Sequence, residues 1–225
     1  MSFTDTDRKA IAEAIADAEL RTSGEIVCVV NQNAHRYAAT GLTVAALAAF
    51  ALPLVAVTLG FDFARLMPWR DWSTGDTATD LARAIEAYAV VQVLIFVIVA
   101  ALLVWTGLGA RLTPFGIKRD RVHAEALSQF RARGIGQTRA STGVLIYVAM
   151  PDHIAEVIAD AGIYAKVDPG HWGQTISALL AGLKAGQPGR GFVAAIGLAG
   201  SVLAEHFPPD LSDNPNELPD RLIEL

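Results

Sequence analysis

Residues 151–172 read PDHIAEVIADAGIYAKVDPGHW and bring Asp152, His153, Glu156, Asp160, Asp168 and His171 into one short stretch. Read as a strand over residues 153–160, the alternation puts Glu156 and Asp160 on one face with Ile154 and Ile158. The loop beyond then returns Asp168 towards the strand end. Two or three carboxylates at such an edge suit a hard cation, calcium or magnesium, which would position a phosphate ester or a water. Asp160, Asp168 and Glu156 are therefore the candidate metal ligands. The competing reading makes the same acids solvated turn and cap residues, since Asp168 before Pro169 and Gly170 is ordinary turn chemistry. His153 and His171 titrate near neutrality and suit general acid–base work, but neither has a nucleophile at a fixed spacing. The one cysteine, Cys28 in EIVCVV, reads as a small buried core residue. The chain carries no P-loop, G-x-S-x-G or H-E-x-x-H pattern, and the glycines of RGIGQ lack the spacing of a phosphate cradle. No catalytic residue is identified.

The elements that must position these residues can be read on both sides of a long apolar interruption. FTDTDRKAIAEAIADAELRTSG has the pattern of an amphipathic helix, with Thr4 as N-cap, Asp7 three residues on, Ile11 and Ile15 on one face, and Gly24 as a stop. EIVCVV is β-branched and continuously apolar, as in a strand buried on both faces. Downstream, IKRDRVHAEALSQFRARGIG reads as a helix with Val122, Ala126, Leu127 and Phe130 inward and Gly134 at its end. TGVLIYVAM is the strongest strand pattern, opened by Gly143 and closed by Pro151. HIAEVIAD fits strand and helix alike. HWGQTISALLAGLKAG is a helix with Trp172, Ile176, Leu179, Leu180 and Leu183 inward and Gly186 as its stop, and residues 191–203 read as a core helix too short to span a bilayer. The tail PPDLSDNPNELPDRLIEL is acidic, proline-bearing and extended.

The interruption explains the composition, which at 52% hydrophobic and 18% charged is too apolar for an ordinary soluble chain of 225 residues. Residues 41–61 and 87–109 are each long enough to cross a hydrocarbon core of about 30 Å. Pro53 lies in the first, where a neighbouring helix can satisfy the freed carbonyl, and Gln92 is the one strongly polar side chain of the second. Tyr88, Trp105, Trp69 and Trp72 stand where interfacial aromatics belong. Arg65, Arg70 and Arg83 lie between the spans, whereas Arg21, Arg36, Arg111, Lys118, Arg119 and Arg121 flank them outside. That excess places both termini in the cytoplasm and the 62–86 loop outside. The opening MSFTDTDRKA lacks the basic and apolar regions of a cleavable signal. A net charge of −5 argues against nucleic acid as a partner.

A helix and one strand cannot bury both strand faces, so the strand at 25–30 needs the one at 143–149, and the hairpin is an insertion in one α/β domain. The ordered set of SGEIVCVV, TRASTGVLIYVAM, AEVIADAGIYAKVD and LAEHFP resembles the TPM domain family over roughly residues 5–31 and 118–207. The terminal NELPDRLIEL resembles bacterial membrane members with a hydrophobic insertion. The resemblance implies a small α/β/α sandwich, acid phosphatase activity or calcium binding in some members, and roles in assembly or repair of membrane complexes in others. It places the family's acidic loop at about Asp160 to Asp168. Most members sit outside the cytoplasm as an uninterrupted domain, and this sequence departs from that pattern. The expected organisation is a TPM-like domain in two parts, 1–40 and 110–207. Inserted between them are spans at 41–61 and 87–109 around an extracytoplasmic loop at 62–86, and an acidic tail follows at 208–225. The expected protein is multi-pass in a bacterial inner membrane. Its expected role is as an interaction or quality-control module for a membrane protein partner, with a metal-dependent phosphohydrolase as the alternative. A transporter subunit is disfavoured because the spans carry no buried charge.

Overall fold

The computed structural model describes residues 3–33, 37–61, 63, 77–138, 141–209 and 216–225. The chain divides into two compact units, one of residues 1–34 and 115–225 and one of residues 35–114.

The first unit is mixed α/β. Helix α1 (Asp5–Glu19) starts at a capping box in which Thr4 Oγ1 accepts from the Asp7 N–H at 3.1 Å and Asp7 Oδ2 accepts from the Thr4 N–H at 3.0 Å. Ile11 and Ile15 are its fully buried stripe. Strand β1 (Glu25–Asn31) follows and pairs in parallel with β2 (Gly143–Ala149), matching Cys28 with Ile146 and Val30 with Val148. Every residue of both strands is buried, because they are the two central strands of a four-stranded sheet ordered β3-β2-β1-β4. The stretch HIAEVIAD, ambiguous by periodicity, resolves as strand β3 (Ile154–Ala159), antiparallel to β2. Tertiary pairing, which periodicity does not register, decides it.

Alternating strand residues feed two cores. Ile26, Cys28, Val30, Val144, Ile146 and Val148 meet α1, α7 (Pro169–Lys184) and α8 (Pro188–His206) on one face. Val27, Val29, Leu145, Tyr147, Ile154 and Ile158 meet α5 (Phe115–Ala132) on the other, through Val122 and Ala126. Gly134, at φ +66°, ends α5 as its position in the sequence predicts, and Gly186, at φ +72°, turns the chain from α7 into α8. The two helices cross at Gly182 and Gly191, where a Cβ on Gly191 would stand 2.7 Å from the Leu179 carbonyl oxygen.

The second unit holds α2 (Ala38–Thr58), α3 (Thr77–Thr106) and the short α4 (Leu108–Leu112). The buried residues of α2 are Gly41, Ala45, Ala49 and Pro53, one every fourth position, so a seam of small side chains faces α3. A Cβ on Gly41, near the start of α2, would meet Leu103, near the end of α3, at 3.7 Å, which makes the pair antiparallel. Both helices are long and apolar enough to cross a membrane over Ala38–Thr58 and Leu81–Thr106, and little of either stretch is buried in the protein.

Several expectations need correction. Gly24 does not stop α1, which ends at Glu19 with Leu20 as a right-handed cap. Gly24 is instead required for space, since its Cβ would lie 3.1 Å from Leu203 and 3.2 Å from the Thr142 carbonyl oxygen. The first apolar helix begins at Ala38 and is left through Gly60 at φ +84°, three residues earlier than read. Residues 77–86 belong to α3 and not to a loop. Nor is the tail merely extended and separate. Leu222–Glu224 form β4, parallel to β1 at the sheet edge, with Leu222 buried. Arg36, Arg65, Trp69, Arg70 and Trp72 lie outside the described residues.

Candidate functional site

The acidic stretch is distributed over three local structures. Asp160 is the N-cap of the four-residue α6 (Ala161–Tyr164), its Oδ1 accepting from the Ala161 N–H at 2.6 Å. Asp168 caps α7, its Oδ1 accepting from the Gly170 N–H at 2.6 Å, with Pro169 as the first helical residue. Glu156 points to the α5 side of the sheet, opposite Tyr147, and is only 14% exposed. Its carboxylate lies 3.7 Å from Arg119 Nε and 3.6 Å from His123 Nδ1. The two aspartates thus do the cap work of the competing reading. Among the described residues no three His, Cys, Asp or Glu side chains gather closely enough to hold a cation. One free lone-pair atom remains, because Asp160 Oδ2 is buried and receives no hydrogen bond among the described residues.

The two histidines of the stretch stand in separate local structures. His153 is at φ +53° in the β2–β3 turn, its N–H donating to the Met150 carbonyl at 3.2 Å. His171 lies in the first turn of α7, where its carbonyl accepts from Thr175 Oγ1.

The structure assembles instead a polar seam between α5 and the sheet. Lys118 Nζ stands 3.5 Å from Asp152, whose side chain is 4% exposed, and Arg119 and His123 share Glu156. Further along, Asn31 Nδ2 donates to Glu125 Oε1 at 3.0 Å, at the C-terminal end of β1. The Tyr147 hydroxyl lies beside them, and burial pushes it well above the usual phenol range, so it stays protonated. A carboxylate beside an imidazole can orient and hold a proton, as in many acid–base pairs. The Cys28 thiol is not a nucleophile for this seam, because complete burial keeps it protonated. Arg119 and His123 carry a readable signal, being one helical turn apart, as does Glu156, the one charge in the run IAEVIA. Asn31 and Tyr147 sit in apolar strands and carry none.

A groove of about 460 Å³ runs between α1 and α8, lined by Thr6, Asp7, Ala10, Arg190 and Val193. Its two charged groups are already engaged: Asp7 in the α1 cap and Arg190 with Gln187 Oε1.

One family model matches part of the chain, from α4 through both capping aspartates into α8. Residues 109–202 match the TPM domain. The matched stretch includes α5, β2, β3, α6 and α7, but not α1, β1 or β4, which complete the same folded unit. Among solved structures the chain is similar to the NMR structure of the BA42 protein from the psychrophilic bacteria Bizionia argentinensis. The two have 21% identity and a TM-score of 0.57, and the similarity covers 100% of this chain and 97% of that one. At that identity the likeness is one of fold. No curated protein matches the chain.

Proposed function

We propose that this chain is a membrane-anchored TPM-like domain acting as an interaction or assembly module for membrane protein complexes. The observation that carries the reading is the α2–α3 pair. Its small residues are spent on packing the two helices together, while Leu47, Phe50, Leu54, Val93, Val97 and Trp105 stay exposed, Trp105 at 87%. Water is a poor solvent for that surface, and a bilayer is a good one. At 1.5 Å per residue the 21 residues of α2 are about 31 Å long, which matches a hydrocarbon core. In this reading both termini are cytoplasmic, in the inner membrane of a bacterium. The test is alkaline carbonate extraction of native membranes, followed by mild detergent purification with chemical crosslinking. We expect the chain to stay in the pellet and to carry a membrane protein at constant stoichiometry. Release into the supernatant would overturn the anchor, and a pellet without a stoichiometric partner would overturn the assembly role.

A second reading, a metal-dependent phosphohydrolase using Asp160, Asp168 and Glu156, is favoured by one observation, the buried Asp160 Oδ2 with no donor among the described residues. As arranged, the three carboxylates do not converge, so no reaction step follows from them. The test is a calcium and magnesium titration followed by melting, with Asp160→Asn and Asp168→Asn as controls. A ligand at a hundredfold over Kd stabilises by about 2.7 kcal/mol. Identical melting in all three proteins would sink this reading.

A further inference from the structure

The segment that closes the sheet is crowded with carboxylates. Glu19, the last residue of α1, is 9% exposed. Its Oε1 accepts from the Ile26 N–H at 2.8 Å, on a stretch of β1 that β4 does not reach, since β4 pairs only with Cys28, Val29 and Val30. Its Oε2 is buried and receives no hydrogen bond among the described residues. The titratable groups that face Glu19 are Asp220, on the approach to β4, and Glu25, at the start of β1, with the buried Cys28 thiol further along the strand. None of these is a cation. Glu25 holds the same C-terminal segment, its Oε2 accepting from the Leu218 N–H at 3.1 Å and its Oε1 from the Glu217 N–H at 3.3 Å.

Asp220 is partly exposed and its Oδ1 accepts from Asn216 Nδ2 at 2.7 Å, whereas Glu19 Oε2 is sealed, so a proton between the two carboxyls supplies the donor that Oε2 lacks. We propose that Glu19 and Asp220 share a single proton that latches β4 onto β1, and that loss of this proton to solvent releases the strand and bares the β1 edge.

The electrostatics agree in direction. Burial pushes Glu19 up to about 8, the Ile26 N–H opposes the shift, and the charges of Glu25 and Asp220 add to it. A carboxyl raised in the docked state stabilises docking fully below its ordinary range, and that contribution is lost as pH rises from about 4.5 to about 8. The other clamps on the segment are the Arg8–Glu224 pair at 2.7 Å, the two Glu25 bonds and the buried Leu222.

The test is hydrogen exchange of the full chain in lipid nanodiscs at pH 6 and pH 9, corrected for intrinsic exchange. The reporters are the Leu225 amide, which donates to the Val30 carbonyl at 2.9 Å, and the Gln32 amide, which donates to the Leu225 carbonyl at 3.3 Å. Protection of both is expected to fall by about tenfold or more between the two pH values, while the Val144–Val148 amides are unchanged. Glu19→Gln should flatten the dependence. Asp220→Asn should too, because its amide donates to Oε2 without a titrating proton, and this variant keeps the test decisive should Glu19→Gln fail to fold. Flat protection in the parent chain overturns the latch, as does a variant that loses protection with pH as the parent does.

Discussion

At the scale of single residues, similar ion pairs differ in what they are worth because they differ in burial. Glu156 is 14% exposed, but its partners Arg119 and His123 reach solvent, so water competes for both contacts. Asp152 is nearly sealed, and its partner Lys118 is only partly exposed. Removing a sealed acid takes one contact from a mostly buried ammonium, which costs more than a screened surface pair. Glu156→Ala is therefore expected to lower stability by less than about 1 kcal/mol, and Asp152→Ala by about 1–3 kcal/mol. Thermal melting of the two variants side by side checks the order, and equal shifts would contradict it. The capping roles of Asp160 and Asp168 were legible from their type and from Pro169–Gly170. The pairing of Glu156 with α5 was not, because its partners lie more than thirty residues upstream.

At the scale of elements, the α7–α8 crossing separates two kinds of glycine. Gly182 and Gly191 let the backbones approach, whereas a Cβ on Gly173, also in α7, would meet nothing within 4 Å. Gly182→Val forces the helices apart and should cost about 1–3 kcal/mol. Gly173→Ala relieves an unneeded entropy cost and should stabilise by about 0.5–1 kcal/mol. Chemical denaturation of both variants reads the opposite signs, and a loss at Gly173→Ala would show a contact that the geometry lacks. The same scale corrects the tail. Three residues, Leu222–Glu224, make a whole edge strand, a stretch too short for alternation to announce.

At the scale of the whole molecule, the anchor reading makes a topological prediction, and the buried Cys28 makes it simple to test. A thiol with no accessible surface leaves introduced cysteines as the reactive ones. Phe61 follows α2 at its far end, and Lys184 closes α7 in the α/β unit. With both termini cytoplasmic, a membrane-impermeant maleimide added to intact cells stripped of their outer membrane should label Phe61→Cys. It should reach Lys184→Cys only after permeabilisation. The reverse pattern would invert the orientation, and equal labelling of both before permeabilisation would remove the membrane from the account.

Local composition and periodicity determined the α1 capping box, the buried character of β1 and β2, the two apolar helices and the glycine that ends α5. These features follow from neighbours within a turn or two of each other. The need of a doubly buried strand for a partner also foretold the pairing of β1 with β2 across the apolar insertion. Tertiary structure alone decided that HIAEVIAD is a strand, that the C-terminal residues close the sheet, and that Glu156 meets Arg119 and His123. It alone set Glu19 beside Asp220. Those outcomes depend on pairing energies and burial between residues far apart in the chain, where a carboxyl's protonation and a strand's edge are set by what folds against them.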